Sequence, residues 1–262
     1  MSSAKFIGAI ASCTLAFAAA ASYAANVSEL DNGSLHGGNR YDRCLELERQ
    51  NPQAALDAAQ AWYAAKGGAA ALHCEALSLT QMRRYSEAAE KLDDAAHQLD
   101  SKSTAMHAAL YDQAGNAWML AANPQKAIAS LSAALTFSPS DTDILTDRAR
   151  AKAEARDWVG AEADLGAILA LDPDRADVYV LRASARHAEG RRAEADSDIA
   201  HALAIYPGYP EALVERGSMK FEAGDQAGAR ADWQQVLAEA PDSDAGAAAR
   251  QHLAEFRRPV PH

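Results

Sequence analysis

Four prolines, Pro139, Pro173, Pro207 and Pro241, stand 34 residues apart in this chain, and that spacing constrains its fold more than any other feature. Segments 108–141, 142–175, 176–209 and 210–243 align on it without gaps. The alignment puts Gly115, Ala149, Ala183 and Gly217 in one column, Ala127, Ala161, Ala195 and Ala229 in a second, and Leu135, Leu169, Leu203 and Leu237 in a third. A unit this short cannot close a core alone, so the columns predict a stacked array. Hydrophobic residues make up 49% of the chain but aromatics only 6%, which suits helices that approach through small side chains.

Within each unit the pattern predicts two helices. In 176–209 the first runs from Ala176 to Glu189, Gly190 breaks it, and the second runs from Arg192 to Tyr206, ahead of Pro207. Ala183 faces the region of Ala195, so the backbones can approach closely. Tyr179, Ile199 and Leu203 fill the remaining space. They recur as Leu145, Leu165 and Leu169 one unit earlier and as Leu213, Trp233 and Leu237 one unit later.

A 34-residue helix–turn–helix carrying these columns resembles the tetratricopeptide repeat. Residues 69–102 fit the same template through Leu72, Ala76, Tyr85, Ala88 and Leu92, but end at Asp100 without proline. Ser103 to His107 intervene before the next unit, and a degenerate unit at 36–68 brings the count to six. The resemblance implies an all-α solenoid, a right-handed superhelix of about six helix-turn-helix units. Degenerate units occupy 40–102, four regular units 108–243, and a capping helix 244–258.

Residues 1–25 read as a secretory signal: Lys5, an apolar run from Phe6 to Ala21, then Ser22-Tyr23-Ala24 with small residues at the cleavage positions. Cleavage predicts a periplasmic or secreted protein. The alternative is a lipoprotein anchored through Cys13, because Ile10-Ala11-Ser12-Cys13 loosely resembles a lipobox. Segment 26–39 holds turn formers without periodicity and reads as a flexible tether. Helical patterning then runs from Arg40 to the Asn51-Pro52 step, from Pro52 to Lys66, where Gly67-Gly68 ends it, and from Ala69 to Arg83. The first and third of these helices lead successive hairpins, so in a stacked array they lie side by side. Their cysteines, Cys44 and Cys74, sit at similar heights and are predicted to form a disulfide, which would stabilise the fold by about 3 kcal/mol.

Two further columns co-vary. Arg148, Arg182 and Arg216 share one on the first helix, and Asp164, Asp198 and Asp232 share one on the second. The unit with Ala114 in place of arginine also has Ser130 in place of aspartate, which predicts structural Arg–Asp pairs.

Formal net charge is −11, or −12 without Lys5, which argues against nucleic acid and anionic lipid as partners. The leader's apolar run, Phe6 to Ala21, is short of the roughly 20 residues that span a bilayer, so no membrane insertion is expected after signal cleavage. No phosphate-cradling glycine loop, HExxH or GxSxG occurs, so neither an enzyme nor a cofactor is expected. The histidines at 36, 73, 97, 107, 187, 201, 252 and 262 lack ligand spacing and read as surface or groove residues, and the carboxylates as mainly solvent-facing. The expected function is a scaffold binding a protein or peptide in the periplasm, in envelope assembly or transport. The alternative is a subunit of an envelope complex that docks through its convex or end surfaces. The resemblance implies a concave groove lined by first helices. Its residues here would be Asp112, Asn116, Met119, Asp143, Thr146, Arg150, Asp177, Val180, Ser184, His187, Glu211, Val214, Ser218 and Phe221, a mixture suited to basic and hydrophobic side chains. Some family members clamp a C-terminal carboxylate with basic residues. Asn116 matches that clamp, but Asp112 and Asp177 stand where it needs cations, so it is not expected here.

Overall fold

The computed structural model describes residues 39–256. The leader, Cys13, residues 26–38 of the expected tether and the last two residues of the expected capping helix lie outside them, while Asn39, expected to end the tether, opens the first helix. Among the described residues every element is an α-helix, and these divide into two compact units, 39–171 and 172–256.

The first unit comprises α1 (Asn39–Gln50), α2 (Pro52–Ala64), α3 (Gly68–Gln81), α4 (Tyr85–His97), α5 (Thr104–Leu120), α6 (Pro124–Phe137), α7 (Thr142–Glu154) and α8 (Trp158–Leu171). Consecutive helices pair as antiparallel hairpins, and each hairpin packs on the next. Asn51 and Asn123 cap α2 and α6 by accepting from the backbone N–H of Ala54 and Lys126, each with proline at the following first-turn position. Leu56, Leu79 and Ala88 form one layer of the core with Met82 against it. Cys44, Ala59 and Cys74 form another beside Trp62, and there the two sulfurs meet at bonding distance with their Cα atoms 6.1 Å apart. The chain leaves α2 through Lys66, at φ 68°, and so turns into the left-handed region before it reaches either glycine. Gly67 is needed for space instead, since a Cβ there would lie 2.6 Å from the Trp62 ring.

The second unit comprises α9 (Ala176–Ala188), α10 (Arg192–Ile205), α11 (Pro210–Glu222), α12 (Gln226–Glu239) and α13 (Asp244–Phe256). Val180, Ala183, Ala195, Ile199, Ala202, Ala212 and Met219 make one cluster. Leu213, Ala229, Trp233 and Val236 make a second, which Ala245 and Ala249 of α13 close with Leu253 packed against it. Gly217 and Trp233 are matched in size, because a Cβ on Gly217 would stand 2.5 Å from the indole nitrogen. No helix among the described residues is long and apolar enough to cross a membrane.

Candidate functional site

The Arg–Asp columns lie inside their hairpins. Arg148 meets Asp164 at 2.7 and 2.9 Å, Arg182 meets Asp198 at 2.7 and 3.0 Å, and Arg216 meets Asp232 at 2.8 and 2.9 Å, each through two guanidinium nitrogens. All three aspartates are buried, contrary to the solvent-facing expectation, and each takes a second cation from one turn further along the first helix: Lys152, Arg186 or Lys220, at 2.7 to 2.9 Å. The sequence carries that second column as Lys152, Arg186 and Lys220, with Trp118 as the exception. Burial by itself would raise the Asp232 carboxyl. The bonds from Arg216 and Lys220 outweigh it and hold the group below its ordinary value.

Where Ala114 and Ser130 replace the pair, the polar link runs to the preceding hairpin. Ser130 Oγ donates to Asp93 Oδ1 at 2.8 Å and Trp118 Nε1 donates to Asp93 Oδ2 at 2.9 Å. In the hairpin α3–α4 the same two columns hold Glu75 and Lys91, a pair of reversed sign, in ionic contact at 3.1 Å with Glu75 buried. These ion pairs tie the two helices of each hairpin together.

The face expected to bind is built from first helices, and the two units are taken separately. In the first unit, Asn116 of α5 donates to Asp147 Oδ2 of α7 at 2.9 Å and lies 3.5 Å from Asp112 Oδ1, while Arg150 donates to Asp147 Oδ1 at 3.2 Å. Asp112 is pushed up to about 8, first by burial and then by Asp147, Asp141 and Asp143. Asp147 is raised by burial, partly offset by Asn116 and Arg150. Asp147 was not foreseen, because Leu181 and Glu215 share its column and the mixture hides the signal. Asp143 is exposed and Met119 half-buried, whereas Thr146 is buried and donates to the Thr142 carbonyl.

In the second unit, Asp177 pairs with Arg175 at 2.7 and 2.9 Å, and that bond holds its carboxyl below the usual range. His187 of α9 lies between two carboxylates of α11, with Nδ1 3.1 Å from Glu215 and Nε2 2.7 Å from Glu222. These bonds push its imidazole up to about 9. Glu211 and Phe221 are exposed; Ser184, Val214 and Ser218 are half-buried, Ser218 donating to the Val214 carbonyl. Val180 is a correction, since it belongs to the core cluster of α9–α11 and presents no surface.

His73 is a second correction. It is fully buried, in the column of Asp112, with Nδ1 accepting from Tyr41 Oη at 2.6 Å and Nε2–H donating to Gln113 Oε1 at 2.9 Å. His107 is also buried, stacked 4.4 Å from Phe137. His36 and His262 lie outside the described residues.

Among solved structures, MamA residues 41 to the end from Desulfovibrio magneticus RS-1 superposes with a TM-score of 0.56 at 18% identity, covering 67% of this chain and 97% of that one. YrrB, described as a TPR protein with an unusual peptide-binding site, superposes with a TM-score of 0.52 at 19% identity, covering 73% and 96%. The chain has the tetratricopeptide-repeat fold. A second MamA crystal structure agrees, with a TM-score of 0.54 at 14% identity over 74% of this chain and 98% of that one. No family model matches the sequence, and no curated protein matches it. The likeness to these tetratricopeptide proteins is therefore one of fold.

Proposed function

We propose that this protein is a non-enzymatic scaffold that binds a peptide or protein segment carrying basic and hydrophobic side chains, on the first-helix face of α5 and α7. One observation carries the reading. Asp112 is held up to about 8 by burial and three neighbouring aspartates, so the face has more carboxylates than it can keep charged. A lysine or arginine side chain seated there would let Asp112 ionise. The peptide-binding site named for YrrB lends the fold-level precedent. Export to the periplasm is part of the same proposal, supported by the leader-like first 25 residues and by Cys44 and Cys74, which we take to be a disulfide formed in an oxidising compartment.

Fluorescence anisotropy with a labelled lysine–leucine peptide and its glutamate–leucine counterpart tests the binding. The lysine peptide is expected to bind more tightly, to weaken with salt, and to tighten as pH rises toward the Asp112 value, a dependence that Asp112→Asn removes. Equal affinity for both peptides would sink the reading.

A further inference from the structure

Helix α1 is attached differently from every helix that follows. Among its residues 40–50 only Cys44 and Glu48 are buried, one cysteine and one carboxylate, whereas α2 buries Ala55, Leu56 and Ala59 and α3 buries a run from Ala69 to Leu79. Its inward stripe is Tyr41, Cys44 and Glu48, which meet His73, Cys74 and Gln81 of α3 in the same order. Its apolar packing is confined to Cys44 against Ala59 and Trp62 of α2 and to half-buried Leu45 and Leu47, and the three contacts to α3 are of other kinds. The first is a hydrogen bond to a neutral imidazole, the second a covalent bond, and the third a carboxyl raised by burial and partly relieved by Gln81 and Arg49, with Oε2 left without a hydrogen bond.

We propose that α1 is a releasable cap on α2 and α3, held by a disulfide at Cys44–Cys74, which a dithiol reductant opens to two thiols while itself becoming a disulfide, and by an acid-sensitive lock at His73, and that opening both undocks α1 while α2 to α8 stay folded.

The acid lock follows from the surroundings of the ring. From α1 the imidazole faces the Tyr41 hydroxyl, with Asp42 acting on that tyrosine, and from α5 it faces the Gln113 amide. The carboxylate of Glu75, on α3 itself, is in ionic contact with Lys91 of α4, though its Oε2 accepts no hydrogen bond, and that of Asp112 on α5 is held largely protonated. A second proton on His73 would therefore be a buried charge with no carboxylate to receive it. Burial lowers the group to about 4, with Gln113 partly offsetting, against about 6.5 in an exposed histidine. Lowering the pH from about 7 to about 5 then favours the undocked helix by about 20-fold. Once Tyr41 leaves, His73 gains access to water and its proton. The bond at Cys44–Cys74 opposes this by keeping α1 close to α3 after undocking. This inference stands independently of the peptide-binding reading.

Hydrogen exchange read by mass spectrometry on the full chain tests it, with rates corrected for the intrinsic effect of pH. In the oxidised protein at about pH 7, peptides from 39–50 should be protected. In Cys44→Ala at about pH 5, their protection should fall by at least about tenfold relative to the same variant at about pH 7, with peptides from 52–171 unchanged. The same pH step should no longer lower the protection of 39–50 in Cys44→Ala/His73→Gln, which keeps a neutral hydrogen-bonding side chain, since the Glu48 carboxyl, raised by burial, takes up its proton in acid and favours the docked helix. Protection lost across 39–171 together, or an acid step that persists after His73→Gln, overturns the proposal.

Discussion

The hairpins α3–α4 and α11–α12 solve one packing problem with opposite charges. In α11–α12 the first helix supplies Arg216 and Lys220 and the second supplies the buried Asp232; in α3–α4 the first helix supplies the buried Glu75 and the second supplies Lys91. Both pairs span 16 residues, 75 to 91 and 216 to 232, and so join the same two columns. The repeat geometry therefore specifies that a charge pair bridges the two helices and leaves its sign free. The cost of a buried charge falls on whichever residue lacks its partner, so the two columns change together or not at all.

Breaking that rule should give the largest effect. Glu75→Lys sets two cations against each other in a buried site and is expected to destabilise the fold by on the order of 3–5 kcal/mol. Glu75→Lys/Lys91→Glu, which adopts the polarity of α11–α12, should recover most of that loss. Urea unfolding of the wild type, the single variant and the double variant measures it. No recovery in the double variant would mean that local surroundings, rather than the columns, fix the sign.

The same two hairpins differ in what stands on their first-helix face. His73 is sealed and neutral, and its folded value of about 4 lies below the unfolded 6.5, so its contribution is fully present above about pH 6.5 and disappears as pH falls through about 4. The whole step amounts to about 3 kcal/mol. Chemical unfolding at a series of pH values should show it in the wild type and not in His73→Gln. A slope that survives the substitution would assign the acid sensitivity to other groups.

What the sequence disclosed follows from which residues were forced. Proline, small residues and the large apolar columns recur because backbone and packing leave few alternatives, so the hairpins were visible as a 34-residue period. The Arg–Asp pairs were visible because a charge and its partner must change together. Glu75–Lys91 was hidden because its signs are reversed and the five residues at 103–107 shift the register. His73 was hidden because burial of a neutral imidazole depends on Tyr41 and Gln113, which lie 32 and 40 residues away in sequence. The groove residues were placed by analogy with the fold, and Val180 shows the limit of that placement, since a one-position rotation of a helix separates core from face.

A smaller contrast lies in the turns inside the hairpins. In the second unit the left-handed residue is glycine, at Gly190 with φ 79° and Gly224 with φ 87°. In the first unit the corresponding positions hold Arg83, Ala122 and Arg156, with φ between 54° and 62°. An L side chain there costs about 1–2 kcal/mol. Part of that is returned because glycine gives the unfolded chain more freedom. Arg156→Gly should therefore stabilise by about 0.5–1 kcal/mol, and Gly190→Ala should destabilise by about 1 kcal/mol. Thermal melts of the two variants check the opposite signs, and a shift in the same direction for both would remove the turn as the explanation.

The smallest effect concerns His187, the counterpart in the second unit to sealed His73 in the first. Its bonds to Glu215 and Glu222 raise its folded value to about 9, above the unfolded 6.5, so the stability it contributes is fully present below about pH 6.5 and is lost as pH rises through about 9. The two histidines thus bracket the working range from opposite sides, His73 failing in acid and His187 in base. They differ in size because solvent reaches only one of them: the Glu222 side chain is 60% exposed, and water and salt screen its attraction to the imidazolium. After that discount the contribution is under about 1 kcal/mol. NMR titration of the imidazole resonances should place His187 well above an exposed histidine. Glu215→Gln should bring it down more than Glu222→Gln, because the half-buried carboxylate acts through less solvent than the exposed one, and the reverse order would show that the shorter Nε2 contact dominates instead.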